Sequence, residues 1–459
     1  MKDIYDVVVI GGGFAGLSAA IEAKLRGKDV VVFEQMAKIG GNSIISDGGI
    51  AAPNTDLQEK HHIKDSKDLM KADILKAGKH KNVEELVSVL VDEAKSAFDW
   101  TRDYLGVEYL DRVDIFGGHS LARCYTPKSI SGRDLIGALK KKCEELQIEI
   151  YTRTKVDHFI KKKDLYTGVW VLKDYLFGKE TYASSQEVLV NDGLILASGG
   201  YGRNKDLLAE YKEEYLDLDS TNKLSATNQL LVELMKDGAQ VVDMEEVQLL
   251  PSTSYDEKGF GLGNLFGDYV VFPLGILVNP KTMHRFTSEL IDRGMLADRM
   301  INQGDYCLGI ADQKAVDYAG WDLSKIMNKG VLKTFDNLEE LANDCSSDLT
   351  ALSLTLDQYN TYVRSREDKD FGKQITNQQT IDQPPYYVMR MRPKIHHTMG
   401  GLAINAKGQV LDKLGKPLPK LYAAGETTGG IHGATRLGSM AVTDCIVFGR
   451  RAGKHIGDE

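Results

Sequence analysis

Two short, almost wholly apolar runs, Tyr5–Ile10 and Val30–Phe33, stand near the start of the chain. Runs of this length without polar alternation predict parallel strands covered on both faces. Between them Leu17, Ala20, Ile21 and Leu25 recur at helical spacing, and Gly27 offers a helix stop. Residues 4–34 therefore predict strand, turn, helix, strand. Residues 54–105 are charged and helical in pattern, and residues 134–146 predict a helix leading into a strand at 148–151. Residues 166–190 predict antiparallel strands, and Leu194–Leu196 a buried strand ending at Gly199-Gly200. From about 245 to 395 the glycine-and-strand pattern stops, and helical stretches and a polar loop (366–384) take over. It returns at 396, with strands near 402–404 and 420–423 and a closing helix over about 438–455. Ala441, Cys445, Phe448 and Ala452 share one face of that helix, which predicts Cys445 in the core.

Composition narrows the classes. The chain has 459 residues with 57 Lys+Arg against 66 Asp+Glu, a net charge of −9. That balance argues against a dedicated nucleic-acid binder or anionic-membrane binder. No apolar run approaches a membrane span. The first strand starts too early to leave room for a signal peptide, so the expected compartment is the cytoplasm, or the periplasm for a trimmed mature chain. The five cysteines are odd in number and widely spaced, with no disulfide, haem-attachment or iron–sulfur pattern. Any electron must then come from another molecule. His61, His62 and His80 sit among lysines and read as solvated helix faces, so no metal site is expected. Glycine is abundant, 45 residues, and clustered, as expected where backbone approaches a large ligand at many points.

The run Gly11-Gly12-Gly13-Phe14-Ala15-Gly16 fits G-x-G-x-x-G, with a strand before it and a helix after it. Glu34 ends the second strand. The glycines permit a tight turn and let a pyrophosphate approach the helix N-terminus, where free N–H groups favour an anion. Glu34 would accept a hydrogen bond from a ribose hydroxyl. The pattern predicts a dinucleotide, NAD or FAD.

The motifs Gly40-Gly41-Asn42-Ser43, Gly117-Gly118-His119-Ser120, His396-His397-Thr398-Met399-Gly400-Gly401 and Ala423 to Gly438 add a resemblance over essentially the whole chain. It resembles the flavoprotein subunit of the fumarate reductase and succinate dehydrogenase family, nearest the soluble flavocytochrome c and urocanate reductase branch. The resemblance implies an α/β fold: a Rossmann-like FAD domain in two sequence pieces (1–244 and 396–459) with an inserted α+β capping domain (245–395). Beside Gly11, Gly13, Gly16 and Gly41, it implies FAD contacts from Ala15, Glu34, Asn42, Ser43, Gly48, Gly49, Val156, His397, Glu426, Ala441 and Val442. Membrane-bound members attach FAD through a histidine where this chain has Asn42, so non-covalent FAD is expected. Relatives have Gly-Asp-Gly where Asn228-Gln229-Leu230 stands here. The N-terminus of the closing helix is expected near the flavin, where its dipole would stabilise an anionic reduced ring.

For the substrate, the resemblance implies that His396 and Arg436 bind a carboxylate and that Arg293 donates a proton. Asp268 stands where relatives carry the carboxylate that returns that proton, and Val271 where they carry a second arginine. Arg293 has a competing partner in Glu289, one helical turn earlier. Fumarate-specific relatives place a histidine where this chain has Leu250, within Gln248-Leu249-Leu250-Pro251-Ser252. Leucine cannot hold a second carboxylate, so the expectation is an acrylate, methacrylate, cinnamate or urocanate type of enoate rather than fumarate. Phe266, Tyr269 and Phe272 are open between pocket and core. The implied activity is reduction of a C=C bond, with an external donor: a cytochrome c-type protein, a quinol-linked protein or reduced flavin, as in anaerobic respiration. An oxidase or dehydrogenase on the same scaffold is the alternative. A ketosteroid dehydrogenase needs no carboxylate clamp, and a non-catalytic flavin carrier is the reading from another class.

Overall fold

The computed structural model describes every residue except Gly117, Asn377 and Glu459, so the first glycine of the 117–120 motif lies outside the described residues. The chain divides into two units. One comprises Met1–Leu216, Lys223–Gln248 and His397–Glu459; the other comprises Asp217–Asn222 and Leu249–His396.

The first unit is α/β. Its sheet runs in the order Gln409–Leu411, Pro417–Ala423, Ser184–Leu196, Ile4–Ile10, Val30–Phe33, Glu149–Tyr151. From Pro417–Ala423 onward all neighbours are parallel. Val7, Val8 and Val9 are wholly buried, as are Val31 and Val32, as expected of a parallel sheet covered on both faces. The long strand Ser184–Leu196 also pairs antiparallel with Leu165–Lys173, which pairs with Thr154–Lys162. The helices Phe14–Leu25 and Met440–His455 pack closely together. Glycines permit the contact: a Cβ on Gly449 would lie 2.5 Å from the Ala15 carbonyl oxygen, and one on Gly453 2.2 Å from that of Ala19.

The closing helix is buried more widely than one stripe. Val442, Thr443, Asp444, Ile446, Val447 and Phe448 are all buried, whereas Ala441 and Cys445 are partly exposed. The expectation that Cys445 is core is therefore corrected. Cys445 shares a stripe with Gly449 and Gly453, which pack on the Phe14–Leu25 helix, and it lines the cleft described below.

The second unit holds an antiparallel sheet in the order Ile276–Val278, Cys307–Asp312, Tyr386–Met391, Leu332–Phe335. Its faces alternate as pleating requires. Ile276, Val278, Leu308, Ile310 and Val388 join a cluster with the helix Leu349–Ser365, while Leu277, Cys307, Met389 and Met391 join a second cluster with Phe266, Val271 and Phe272. Phe266 and Phe272 are thus core, and Tyr269 packs on Trp321 with ring centroids 4.8 Å apart.

The polar stretch 366–384 is not a solvated loop throughout. Lys373 is buried, its Nζ 3.1 Å from Glu289 and donating to the Gly275 carbonyl. Arg285 pairs with Glu289 and Asp368, each at 3.0 Å. Two cations and two anions balance in this network, which is what a buried cluster of charges requires.

Candidate active site

Gly13, the N-cap of the Phe14–Leu25 helix, has no side chain to cap it, so the leading amides other than Phe14 N–H suit an anion. Gly11 has φ +108°, and a Cβ there would lie 2.3 Å from the Ala197 carbonyl oxygen. At Gly16 a Cβ would lie 1.9 Å from the Gly11 oxygen; Gly16 brings helix and strand together and does not line the cleft. Above Gly13 the nearest atom to a Cβ is the Ser43 hydroxyl at 3.2 Å, and that hydroxyl accepts from Phe14 N–H at 3.1 Å. Gly13 thus leaves the backbone without a Cβ where a pyrophosphate would sit, with the Ser43 hydroxyl beside it.

Glu34 is buried at the end of Val30–Phe33. Its carboxylate accepts from Gly12 N–H at 3.0 Å and Met36 N–H at 2.9 Å. Burial pushes its pKa up, against the pull of those two amides. Each oxygen keeps a further lone pair for a ribose hydroxyl.

These residues belong to one cleft. Gly11, Gly13, Ala15, Glu34, Gly41, Asn42, Ser43, Val156 and Glu426 all line it. Asn42 Oδ1 accepts from Lys223 N–H at 2.8 Å, and the Asn42 side chain also bonds Glu426. Glu426 accepts from Thr398 N–H at 3.1 Å, and burial raises its pKa. The glycine-rich lining, with a buried carboxylate and a helix N-terminus, fits FAD. Gly48, Gly49, His397, Ala441 and Val442 do not line this cleft. Gly48 has φ +73°, and its Cβ would lie 2.9 Å from Gly132 Cα; that of Gly49 would lie 2.8 Å from Ser439 Oγ. His397 Nδ1 lies 3.6 Å from Glu426.

Sequence reasoning missed part of the lining: Thr154, Lys155, Ser198, Ala424, Cys445 and the stretch Ser225–Leu230. Asn228, within the Asn228-Gln229-Leu230 departure, shapes that stretch. It sits at φ +41°, caps the helix Gln229–Lys236, accepts from Ser198 Oγ at 2.7 Å and donates to Gly199 O at 2.7 Å. An asparagine, whose short amide tolerates the left-handed region and caps helices, was the legible signal.

Arg436 belongs to the first unit and is 8 % exposed. Its Nη1 donates to Leu437 O at 2.9 Å, and its own carbonyl accepts from Gln248 Nε2 at 3.0 Å. Its charge also bears on Glu426, lowering that pKa against the burial.

The second unit carries the other predicted substrate residues. His396 Nδ1 lies 2.8 Å from Thr221 Oγ1, and its carbonyl accepts from Asn222 Nδ2 at 2.9 Å. Arg293 opens the helix Arg293–Ile301, capped by Asp292. Its Nη2 lies 3.7 Å from Asp268 Oδ1. The competing partner Glu289 is taken by Arg285 and Lys373. Val271 is wholly buried in the apolar cluster, and Leu250 is 4 % exposed. Among the described residues no group of three or more His, Cys, Asp or Glu is placed to hold a metal, and no helix is long and apolar enough to cross a membrane.

A family profile described as the FAD binding domain matches residues 6–442. The acrylate reductase flavoprotein subunit of Shewanella woodyi is 36% identical over 98% of this chain and 90% of its own length. A probable fumarate reductase of Shewanella frigidimarina is 33% identical over 97% of this chain and 74% of its own. The solved open conformation of a flavocytochrome c3 fumarate reductase superposes with a TM-score of 0.82 at 32% identity, covering 99% of this chain and 78% of that one. The chain belongs to the FAD binding domain family, in its fumarate reductase-like branch, and is an FAD-dependent oxidoreductase.

Proposed function

We propose that this flavoprotein reduces the C=C bond of an α,β-unsaturated carboxylate whose far end is not a second carboxylate. The observation that carries the reading is the Arg293–Asp268 pair at 3.7 Å: a cation that can lose a proton only beside a group able to return it. The likeness to an acrylate reductase over 98% of the chain supports the same class.

When bound, FAD supplies the hydride that adds to the β-carbon. The chain's own residues do the rest. Arg436 and His396 hold the carboxylate, and a guanidinium suits this because its planar fork matches two oxygens at once. That grip also stabilises negative charge building toward the α-carbon and carboxylate. Arg293 donates the proton to the α-carbon. Its ordinary pKa is above ~12, so the transfer is favourable only while a strongly basic carbanion-like centre develops. Asp268 then passes a proton back to Arg293. With Val271 in the apolar core, Asp268 performs this step without a second arginine, and solvent reaches the pair because its side chains are 30% and 22% exposed.

Substrate choice follows from Leu250. A buried leucine offers nothing to a second carboxylate, and an unpaired buried charge is costly. Acrylate, methacrylate, cinnamate and urocanate types fit; fumarate is poor. The electron donor is external: a cytochrome c-type protein, a quinol-linked protein or reduced flavin.

The test is anaerobic mixing of the reduced protein with a panel of these enoates. Re-oxidation of the flavin by one of them supports the reading. Silence toward every enoate, with flavin reduction by a saturated acid, overturns it in favour of the oxidative direction.

A further inference from the structure

A second buried charge cluster lies in the first unit, away from the cofactor cleft, and it ends on the segment that carries Arg436. Arg123 is wholly buried. It grips Asp65 through two bonds, Nε to Oδ2 at 2.8 Å and Nη2 to Oδ1 at 2.9 Å, and its Nη1 bonds Asp73. Asp73 also accepts from Ser120 N–H and Oγ–H at 3.0 and 2.8 Å. The same Nη1 lies 3.4 Å from His119 Nδ1, and His119 Nε2 lies 2.8 Å from the Gly438 carbonyl oxygen.

This arrangement decides the tautomer. A guanidinium only donates, so Nδ1 must accept and Nε2 must carry the hydrogen. His119 therefore donates to Gly438 O. The neighbouring carbonyls are held as well, Arg436 O by Gln248 and Leu437 O by the Arg436 guanidinium. The turn is also closely packed: a Cβ on Gly438 would lie 2.4 Å from Phe116 Cβ, and Gly118 sits at φ +92°. The next residue, Ser439, has φ +63° and leads into the closing helix without capping it. Such a turn keeps its shape only if its surroundings over-determine it.

We propose that His119 is a positioning residue for substrate binding, holding the Arg436–Ser439 turn through Gly438 O, with Arg123 fixing the ring's tautomer. The proposal rests on the assignment of Arg436 to the substrate carboxylate made above.

The experiment compares FAD-loaded wild type, His119→Leu and His119→Gln. Glutamine can place its Nε2 donor where the imidazole has its own; leucine keeps bulk and loses the donor. Acrylate kinetics are read with a reduced viologen dye. Binding of propanoate to the oxidised enzyme is read from the flavin absorbance. Flavin content is measured by release. His119→Leu is expected to raise the acrylate KM and the propanoate Kd by about tenfold, with kcat within about threefold and flavin content unchanged. His119→Gln is expected to restore both constants to within about threefold. The proposal is overturned if loaded His119→Leu keeps wild-type constants, or if leucine and glutamine impair binding equally. Should His119→Leu fail to fold, His119→Asn replaces it: its amide faces Arg123 but is too short for Gly438 O, so wild-type propanoate binding by that variant overturns the proposal too. If wild type reduces no enoate yet binds propanoate, the reductase reading fails and the propanoate constants still judge His119. If wild type does not bind propanoate, the clamp and this proposal fall together.

Discussion

Arg293 Nη2 stands 3.7 Å from Asp268 Oδ1, at the first position of one helix and in a π-helical turn, Gly267–Val271, of another segment. The pair is partly exposed, and pairs of this kind add about 0–1 kcal/mol to stability. Under the proposed mechanism its value is chemical. Arg293→Ala is expected to leave the thermal midpoint nearly unchanged while lowering enoate reduction by about a hundredfold or more, roughly 2.7 kcal/mol of barrier. A loss of less than about tenfold in a stopped-flow or steady-state assay removes Arg293 from the role of proton donor. Asp268→Asn is expected to lower kcat while leaving the first turnover less affected, because only the return of the proton is lost.

Leu250 is buried in the second unit where fumarate-specific relatives carry histidine. Leu250→His is expected to raise kcat/KM for fumarate relative to acrylate by about tenfold, ~1.4 kcal/mol of differential binding. The ratio of the two specificity constants is the measurement. An unchanged ratio means that another residue excludes the second carboxylate.

The cofactor cleft makes its own prediction. Asn42 offers an amide where covalent members offer an imidazole, so acid or detergent denaturation should release all the flavin, leaving none on the chain after gel separation. Gly11→Ala should abolish flavin loading or folding, since φ is +108° and the new Cβ would lie 2.3 Å from Ala197 O. Glu34→Gln should weaken retention more gently, by about 1–2 kcal/mol, because the amide still meets a hydroxyl but cannot accept on both atoms. Fluorescence titration of the apoprotein with FAD reads both.

His119 carries a pH signature. Burial pushes its pKa down from 6.5 to about 4, against the pull of the Gly438 carbonyl; Arg123 adds to the lowering, and Asp73 and Asp65 oppose it. Above pH 6.5 folded and unfolded states both hold the ring neutral, and it adds no pH dependence. As pH falls from 6.5 toward 4 the unfolded chain takes a proton that the folded one refuses, so stability is lost across that window, by roughly 3 kcal/mol. Urea midpoints at pH 7, 5.5 and 4.5 should show this slope in wild type and a slope smaller by up to one proton in His119→Gln. Identical slopes would mean that the ring takes up its proton alike in the folded and unfolded chain.

The local chemistry was legible wherever it is written in contiguous residues. Tyr5–Ile10, the glycine turn, the helix after it and Glu34 lie within about thirty residues, so period, turn and acceptor could all be read together. The long antiparallel strands and the closing helix were likewise legible from their patterns. The motifs near 396 and 436 marked the proposed substrate residues through resemblance, and the FAD binding profile over 6–442 bears out the cofactor.

What the sequence by itself determined was each segment's intrinsic preference: apolar runs for strands, glycines where no Cβ fits, and an uncapped helix end for an anion. Tertiary structure decided which of several equally spaced partners met. Arg293 faces Asp268, since the packing of 366–381 gives Glu289 to Lys373 and Arg285. Cys445 turned to the cleft on the stripe whose Gly449 and Gly453 meet the Phe14–Leu25 helix. His119 reached a carbonyl 319 residues away. Charge and hydrophobicity are properties of residues, but pairing depends on directions and distances that exist only once distant segments have packed.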